Sequence, residues 1–481
     1  MIRVGAEGNL ELRNKTVAIS RPVRTFTVSG TMNDIQSKIA TLRPGDELKI
    51  APGSYQGNLD ISVSGTSEQP IVIRSQTPEA AVFTGATSVS ITGSDVTIAN
   101  IRFQQTGTAT IVLQGLRTKI LGNTFEQSGD GSNGASNGVL IAKNLTPGWP
   151  PNDVLGSLTS APLVVRDNII AGNTFLQPRN TVLWQDHGIV GNEFSFNTID
   201  GPHGIQADFE TEAIKIGYSF GTDQTKTRII FNTIRRWSGI PYVIGIKSNR
   251  TLVGYNLLSG RLQLRYGNEN AVIGNVVTDG DFHVSGAGHL IKFNVIRTIN
   301  PRDNYGPFDP FFTSNITNQY GVFDGTNGRP NFVDRLSRSR IEDNVFMSLT
   351  ASDGAVIQPS GFADVKANEP PTKNVFARNV LVRSANWNNF VAVSLSTHVD
   401  LLPLLAENQW SGNVLHCIEQ CNDSQITLRL PGPANRIGEP PAGPSARATE
   451  FLVPYNDSLI DRDFAFMTTT LAPVSGFAAT P

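Results

Sequence analysis

Cysteine is almost missing: Cys417 and Cys421 are all that 481 residues contain. A disulfide scaffold or a four-cysteine zinc site is therefore excluded. The phrase HCIEQCN reads as a short local disulfide or as two idle thiols. Charge is scarce too, at 17% of residues, with 39 Lys and Arg against 41 Asp and Glu and a net of −2. That balance gives no electrostatic reason to expect nucleic acid or a membrane surface as partner. No apolar run approaches the ~18 residues of a spanning helix. The N-terminus, MIRVGAEGNLELRN, lacks the apolar centre of a secretory signal. Sustained helical periodicity is absent from any segment longer than about ten residues. Glycine is frequent, at 45 residues, but has no three-residue period, which excludes collagen. Hydrophobic residues make up 39%, enough at this low charge to build a core rather than a disordered chain.

What the chain does have is a repeated phrase, in which Asn is followed closely by Phe, Ile, Val or Leu. It occurs as NIRF at Asn100, GNTF at Asn123 and Asn173, and FNTI at Asn197 and Asn232. It continues as YNLL at Asn256, GNVV at Asn275, FNVI at Asn294, DNVF at Asn344, RNVL at Asn379 and GNVL at Asn413. The shorter intervals are 19 to 24 residues, and the others run from 34 to 50. One turn of a parallel β-helix takes about 20 residues or more, within the range of solenoid repeats. The long intervals fit either a coil with an insertion or two coils. Asn suits such a turn, because it tolerates a left-handed corner and can bond to the stacked Asn of the next coil. The apolar residue after it is expected to point inward. Flanking runs such as ITGSDVTIANIRF alternate apolar and polar residues with period two, as strands do.

These features predict an all-β chain: a single-stranded right-handed parallel β-helix with an N-terminal cap and loop insertions. Residues 1–30 are expected to be an extension, 31–429 the solenoid, and 430–481 a Pro-rich tail packed on its end. The segment Met32–Leu42 is the candidate cap helix. Insertions are expected at about 126–162, 300–338, 350–372 and 384–408, where long loops commonly form functional rims.

Three short coils follow one another: IGIKSNRTLVGYN, LQLRYGNENAVIGN and FHVSGAGHLIKFN. If Ile246, Leu264 and Val284 point inward, Lys247, Arg265 and Ser285 point outward, about 4.8 Å apart per coil. Gln263 and His283 then also face outward, and the preceding EAIKIGYS adds Lys215 and Tyr218. Lys215, Lys247, Arg265 and His283 would make a basic stripe suited to an acidic polymer. Such a stripe supports β-elimination of a uronate polysaccharide. A base takes the C5 proton, an acid protonates the O4 leaving group, and cations neutralise the carboxylate next to C5.

The order of these phrases resembles polysaccharide lyase family 6, the alginate lyases and chondroitinase B. The stretch LRPGDELKIAPGSYQGNLDISVSGTSEQPIVIRSQTPEAAVFTG (Leu42–Gly85) resembles that family's entry into its helix. The resemblance covers roughly residues 30 to 300. It implies a right-handed parallel β-helix, Lys247 as base and Arg265 as acid. Lys215, Tyr218, Arg236, Tyr242, Gln263, Tyr266 and His283 are the expected substrate-binding residues. The family pattern has R-H-G where this chain has Arg265-Tyr266-Gly267, and usually an Arg where His283 stands. The resemblance also implies a calcium ion, held by two carboxylates on the strand leading to Lys247. That strand, GIPYVIGIK, carries Ile240 and Tyr242 and no acid. The expectation is catalysis without a metal or other cofactor, with Lys215, Arg236, His283 or Tyr266 partly replacing the ion.

Other readings stay open. A glycoside hydrolase would need two carboxylates about 5–9.5 Å apart, and Asp208, Glu210 and Glu212 alternate on a strand-like run. The phrase VLWQDHGIVGN (Val182–Asn192) is similar to pectate lyases, with Asp186 and His187 more plausibly polar corner residues. A non-catalytic polysaccharide-binding β-helix, such as a phage tail adhesin, is the third. The partner expected is an acidic polysaccharide, met outside the cell, in the periplasm or from a phage particle. A monomer is expected, or a trimer if the chain sits on a phage tail.

Overall fold

The computed structural model describes residues 22–104, 111–127, 138–142, 165–178, 181–186, 188–201, 212–217, 224–237, 242–298, 336–348, 373–383 and 408–417. It adds the backbone of four two-residue strands, at 3–4, 10–11, 308–309 and 436–437. Almost every strand belongs to one of three long parallel sheets. The first runs from Arg24–Val28 to Gln409–Ser411, with 14 strands. The second, also of 14, runs from Gly53–Tyr55 to Arg436–Ile437. The third, of ten, runs from Leu59–Ile61 to Phe308–Asp309. Each coil contributes a short strand to each sheet in turn and pairs with the coils on either side. This is the expected parallel β-helix.

The core is a stack of like side chains, because in-register coils place equivalent residues one above another. Phe83, Phe103, Phe125 and Phe175 form one file, the last three stacked face to face at 4.7 and 4.6 Å. Ile199, Ile234, Leu258, Val277, Ile296 and Phe346 continue it, all within 1% of full burial. These are the apolar residues expected to point inward. The chain begins the first sheet with Arg24–Val28, which pairs with Asp46–Ile50, inside the stretch read as an extension. The cap helix spans Met32–Ile39 and starts at a capping box, in which the Thr31 N–H donates to Asp34 Oδ2 at 2.7 Å. Met32, Ile35 and Ile39 seat it on the first coils. Among the described residues no helix is long and apolar enough to cross a membrane.

The ladder Asn residues are buried and bonded in file. From Asn173 to Asn413, each accepts at its Oδ1 from the backbone N–H of the ladder Asn before it, as Asn256 does from Asn232 N–H at 2.9 Å. Two positions need correction. Asn100 is not in the file, since Ile101 takes that place and its N–H donates to Asn123 Oδ1. The left-handed corner is also not the Asn itself but the residue before it. Gly122, Gly172, Phe196, Phe231, Tyr255, Gly274 and Phe293 all have positive φ there. A bulky residue in that conformation costs roughly 1–2 kcal/mol. Phe196, Phe231 and Tyr255 offset part of this by stacking on one another at 5.1 and 5.3 Å.

The 50-residue intervals are resolved as single enlarged coils. Asn123 donates directly to Asn173, and Asn294 to Asn344. Within the enlarged coils, among the described residues, Val139–Ile141 and Phe308–Asp309 join the third sheet. The insertions at 350–372 and 384–408 lie almost wholly outside the described residues. So do Cys421, the side chain of Cys417 and nearly all of the 430–481 tail.

A second polar ladder, not foreseen, lines the turn from the third sheet back to the first. It includes Asn168, Asn192, Asn270, Ser339, Asn374 and Asn408. His289 occupies one rung: its Nδ1 accepts from Asn270 N–H at 3.1 Å, so Nε2–H donates to the Ser285 carbonyl at 2.9 Å. Both bonds suit the neutral ring, and burial pushes its pKa from 6.5 down to about 4. The neutral form stabilises the fold fully above the unfolded pKa of about 6.5. That stability is lost as pH falls through about 4, for a total of about 3 kcal/mol. Urea unfolding as a function of pH measures it. His289→Asn, which keeps the kind of side chain found on the neighbouring rungs, is expected to remove most of the loss between pH 6.5 and 4.

Candidate active site

The strands Glu212–Ile216, Tyr242–Lys247, Leu262–Tyr266 and Phe282–Val284 lie side by side in the third sheet. Period-two alternation turns Ile216, Ile246, Leu264 and Val284 into the core in register, as expected. The outward file between the two core files is Trp184, Lys215, Gly245, Gln263 and His283. Lys215 is therefore level with Gly245, and Lys247 lies two residues further along.

The expected alignment of Lys247 with Arg265 is corrected by one residue. Lys247 pairs with Tyr266, because the register shifts after Ile246 and Arg265 is the extra residue of a β-bulge. A bulge re-aims side chains and strengthens local twist, and alternation alone cannot reveal it. Arg265 and Tyr266 stand on the adjacent rung. Their side chains, and the whole of Tyr218, Asp208, Glu210 and His187, lie outside the described residues.

The exposed basic stripe is corrected as well. Lys215, Lys247, Gln263 and His283 are all buried, and each charged member has an acid beside it. Glu212, wholly buried, places Oε2 at 3.5 Å from Lys215 Nζ and Oε1 at 3.3 Å from Lys247 Nζ. The Lys215 ammonium also lies 4.9 Å from the centroid of the Trp184 ring. A second cluster follows on the next rungs. Arg261 donates from Nε and Nη2 to the two oxygens of Asp281 at 2.5 and 2.9 Å. His283 Nε2 is 3.4 Å from Asp281 Oδ2. Burial alone would raise the Asp281 pKa, but Arg261 and His283 together hold it well below the usual carboxylate range. The Arg261 guanidinium in turn lies 5.9 Å from the Tyr242 ring centroid. Low dielectric explains the pairing: unpaired charges at this depth would be prohibitively costly.

Arg236 is set apart from this group. It stands at the exit corner of the second sheet, exposed, with its guanidinium on Asp200 at 2.8 Å. Gln263 differs again: among the described residues neither its carboxamide oxygen nor its nitrogen has a hydrogen-bond partner, although both are buried.

The residues missed in the sequence are Arg261, Asp281 and the pairing role of Glu212. One signal was present. Gly245 lies inside an otherwise apolar strand, where Gly often marks a close approach. A Cβ there would fall 2.8 Å from Glu212 Oε1.

The donor set does not suit calcium. Among the described residues Glu212 is the carboxylate beside Lys247, and two ammonium groups, of Lys215 and Lys247, lie 3.5 and 3.3 Å from its oxygens, where a dication would have to sit. Among the described residues no three His, Cys, Asp or Glu side chains gather as a metal site. The hydrolase reading also loses a candidate, since Glu212 is held by two lysines.

These observations define a parallel β-helix with a buried, charge-paired polar face on its third sheet. A family model described as chondroitinase B matches residues 29–123. Among solved structures, a mannuronic acid-specific polysaccharide lyase of family 6 from human gut microbiota has TM-score 0.66 at 16% identity, covering 93% of this chain and 100% of that one. A family 6 polysaccharide lyase from Pseudopedobacter saltans has TM-score 0.60 at 17% identity, covering 84% and 95%. A family 6 alginate lyase bound to a trisaccharide has TM-score 0.58 at 17% identity, covering 85% and 88%. No curated protein matches the chain. The resemblance to polysaccharide lyase family 6 is thus met in the N-terminal coils by the family model and along most of the chain by the fold.

Proposed function

We propose that the protein is a polysaccharide lyase that cleaves a uronate-containing polysaccharide, alginate before others, by β-elimination. The observation that carries this is the placement of Lys247 on the third sheet, buried beside Glu212 and one rung from Arg265. Lys247 in its neutral form takes the C5 proton. The C4–O4 bond breaks as the C4=C5 double bond forms, and Arg265 supplies the proton to the departing oxygen. Lys215, Arg261, Gln263 and His283 form the polar surroundings in which the uronate carboxylate is neutralised. The family 6 structures with the same fold include an alginate lyase and a mannuronic acid-specific lyase, which supports alginate as the first substrate to try.

The test is incubation with alginate, dermatan or chondroitin, and pectate, following the ultraviolet absorbance of the unsaturated uronate. Absorbance is expected to rise with alginate. It is expected to be unaffected by EDTA and by added calcium, because cationic side chains stand where the ion would bind. Loss of turnover in EDTA with recovery in calcium would overturn the metal-free mechanism. Reducing ends without absorbance would point instead to a hydrolase.

A further inference from the structure

The outward file of the third sheet does not begin at Lys215. It runs back through Trp184, Leu140 and Val112 to Ser90 and Asp60, one residue per coil. On three of these rungs the outward residue stands between wholly buried neighbours: Ile111 and Leu113, Val139 and Ile141, Leu183 and Gln185. Alternation thus turns Val112, Leu140 and Trp184 away from the core. An outward strand position that meets water is ordinarily polar. Asp60, Ser90 and Lys215 keep that rule, and the three rungs between them break it. Val112 is nearly buried, whereas Leu140 and Trp184 are partly exposed. The residues that follow on these rungs, Gln114, Ala142 and Asp186, add no cation. The face therefore changes along the solenoid, apolar up to Trp184 and rich in basic side chains from Lys215 onward.

The direction of β-elimination decides which part of a substrate meets the apolar rungs. The uronate that loses its C5 proton stands at Lys247, and its O4 departs towards Arg265 on the following coil. The sugar joined through O4 continues past Arg265 towards His283. The sugar joined at C1 extends the opposite way, over Lys215 and then Trp184 and Leu140, at about 4.8 Å per coil. A carboxylate set down on those rungs would lose water and gain no cation from them. A methyl group there would gain apolar contact.

We propose that Leu140 and Trp184 form a subsite for an acetyl group, carried by a sugar on the reducing-end side of the uronate that is cleaved. Continuity with the Lys215 rung ties this surface to the same polymer. The acetyl group has two sources, an O-acetyl ester on a uronate or the N-acetyl group of a hexosamine. Both leave a uronate free to stand at Lys247. The direction rests on the lyase reading, whereas the preference for an acetyl group is measurable as binding alone.

Two pairs of polymers test it. One is O-acetylated alginate and the same sample after alkaline deacetylation. The other is dermatan or chondroitin and the same polymer with N-formyl in place of N-acetyl, which removes the methyl group and adds no charge. Initial rates are measured on the wild-type protein, and dissociation constants by calorimetry on Lys247→Ala. The acetylated member of at least one pair is expected to be favoured by about threefold or more in both, the range for burying one methyl group. Preference within the alginate pair identifies the ester, and within the other pair the amide. Leu140→Ser is expected to erase the preference. Leu140→Lys is expected to reverse it for the alginate pair, because the new cation favours the bare polyuronate. Equal use of both members in both pairs, or a preference unchanged in the two Leu140 variants, overturns the subsite. Should Lys247→Ala fail to fold, the wild-type rates and those of the Leu140 variants decide. Preferential binding without unsaturated uronate supports the subsite and overturns the lyase reading. An active lyase indifferent to acetylation does the reverse.

Discussion

Lys247→Ala is expected to lower the rate of unsaturated uronate formation by at least about 100-fold, the lower range for loss of a general base. The structure adds a cost that an exposed lysine would not carry. Lys247 is 2% exposed and 3.3 Å from a wholly buried carboxylate. Removing one partner of a buried pair commonly costs about 3–5 kcal/mol. Lys215 still faces Glu212, so the loss here is expected to be smaller, about 1–3 kcal/mol. Two controls separate chemistry from folding. Equilibrium unfolding in urea gives the stability term, and small alkylamines added to Lys247→Ala are expected to restore part of the rate. Full activity in folded Lys247→Ala would show that the base is elsewhere.

Asn256→Ala is expected to give the largest loss of stability, and its basis is arithmetic on bonds. Asn256 Oδ1 accepts from the backbone N–H and Nδ2 of Asn232, both at 2.9 Å. Its own Nδ2 donates to the Ile229 carbonyl and to Asn275 Oδ1, both at 2.9 Å. Alanine removes these four bonds in a place closed to water; Asn232 Nδ2 keeps the Phe194 carbonyl and Asn275 Oδ1 keeps the backbone N–H of residue 256, so the Asn232 N–H and the Ile229 carbonyl lose the most. Each buried group left unsatisfied costs about 1–3 kcal/mol, so a total near 4 kcal/mol is expected even if two of them find other partners. The rungs on either side carry the same bonds, so the damage should spread along the solenoid rather than stay local. Thermal unfolding of Asn256→Ala beside a surface control such as Phe196→Ala checks this. Equal midpoints would mean that the ladder carries little of the stability.

Much of the solenoid was legible because it repeats. A phrase that recurs at coil spacing reports its own stacking, and the inward partners of Asn123, Asn173 and Asn256 followed directly. The corners were less legible. Left-handed residues precede the Asn, and Phe231 or Tyr255 there looks like an ordinary strand residue. The second ladder escaped notice because its rungs mix Asn, Ser and His289, whose shared feature is the bond each makes and not its type.

For the site, the sequence by itself determined which residues share the outward face of the third sheet, since alternation with period two leaves no choice once Ile246, Leu264 and Val284 point inward. It also marked Lys247 and Arg265 as neighbours from successive coils. Only the tertiary structure decided the register between them, because a one-residue bulge at Arg265 leaves the apolar pattern intact. Only the tertiary structure decided their electrostatic state as well. The net charge of −2 says nothing about where each acid stands. Glu212 finds Lys247, 35 residues further along the chain and on the next coil, through the space left by the missing side chain of Gly245. Pairing of that kind depends on distance and burial, which one-dimensional spacing does not contain.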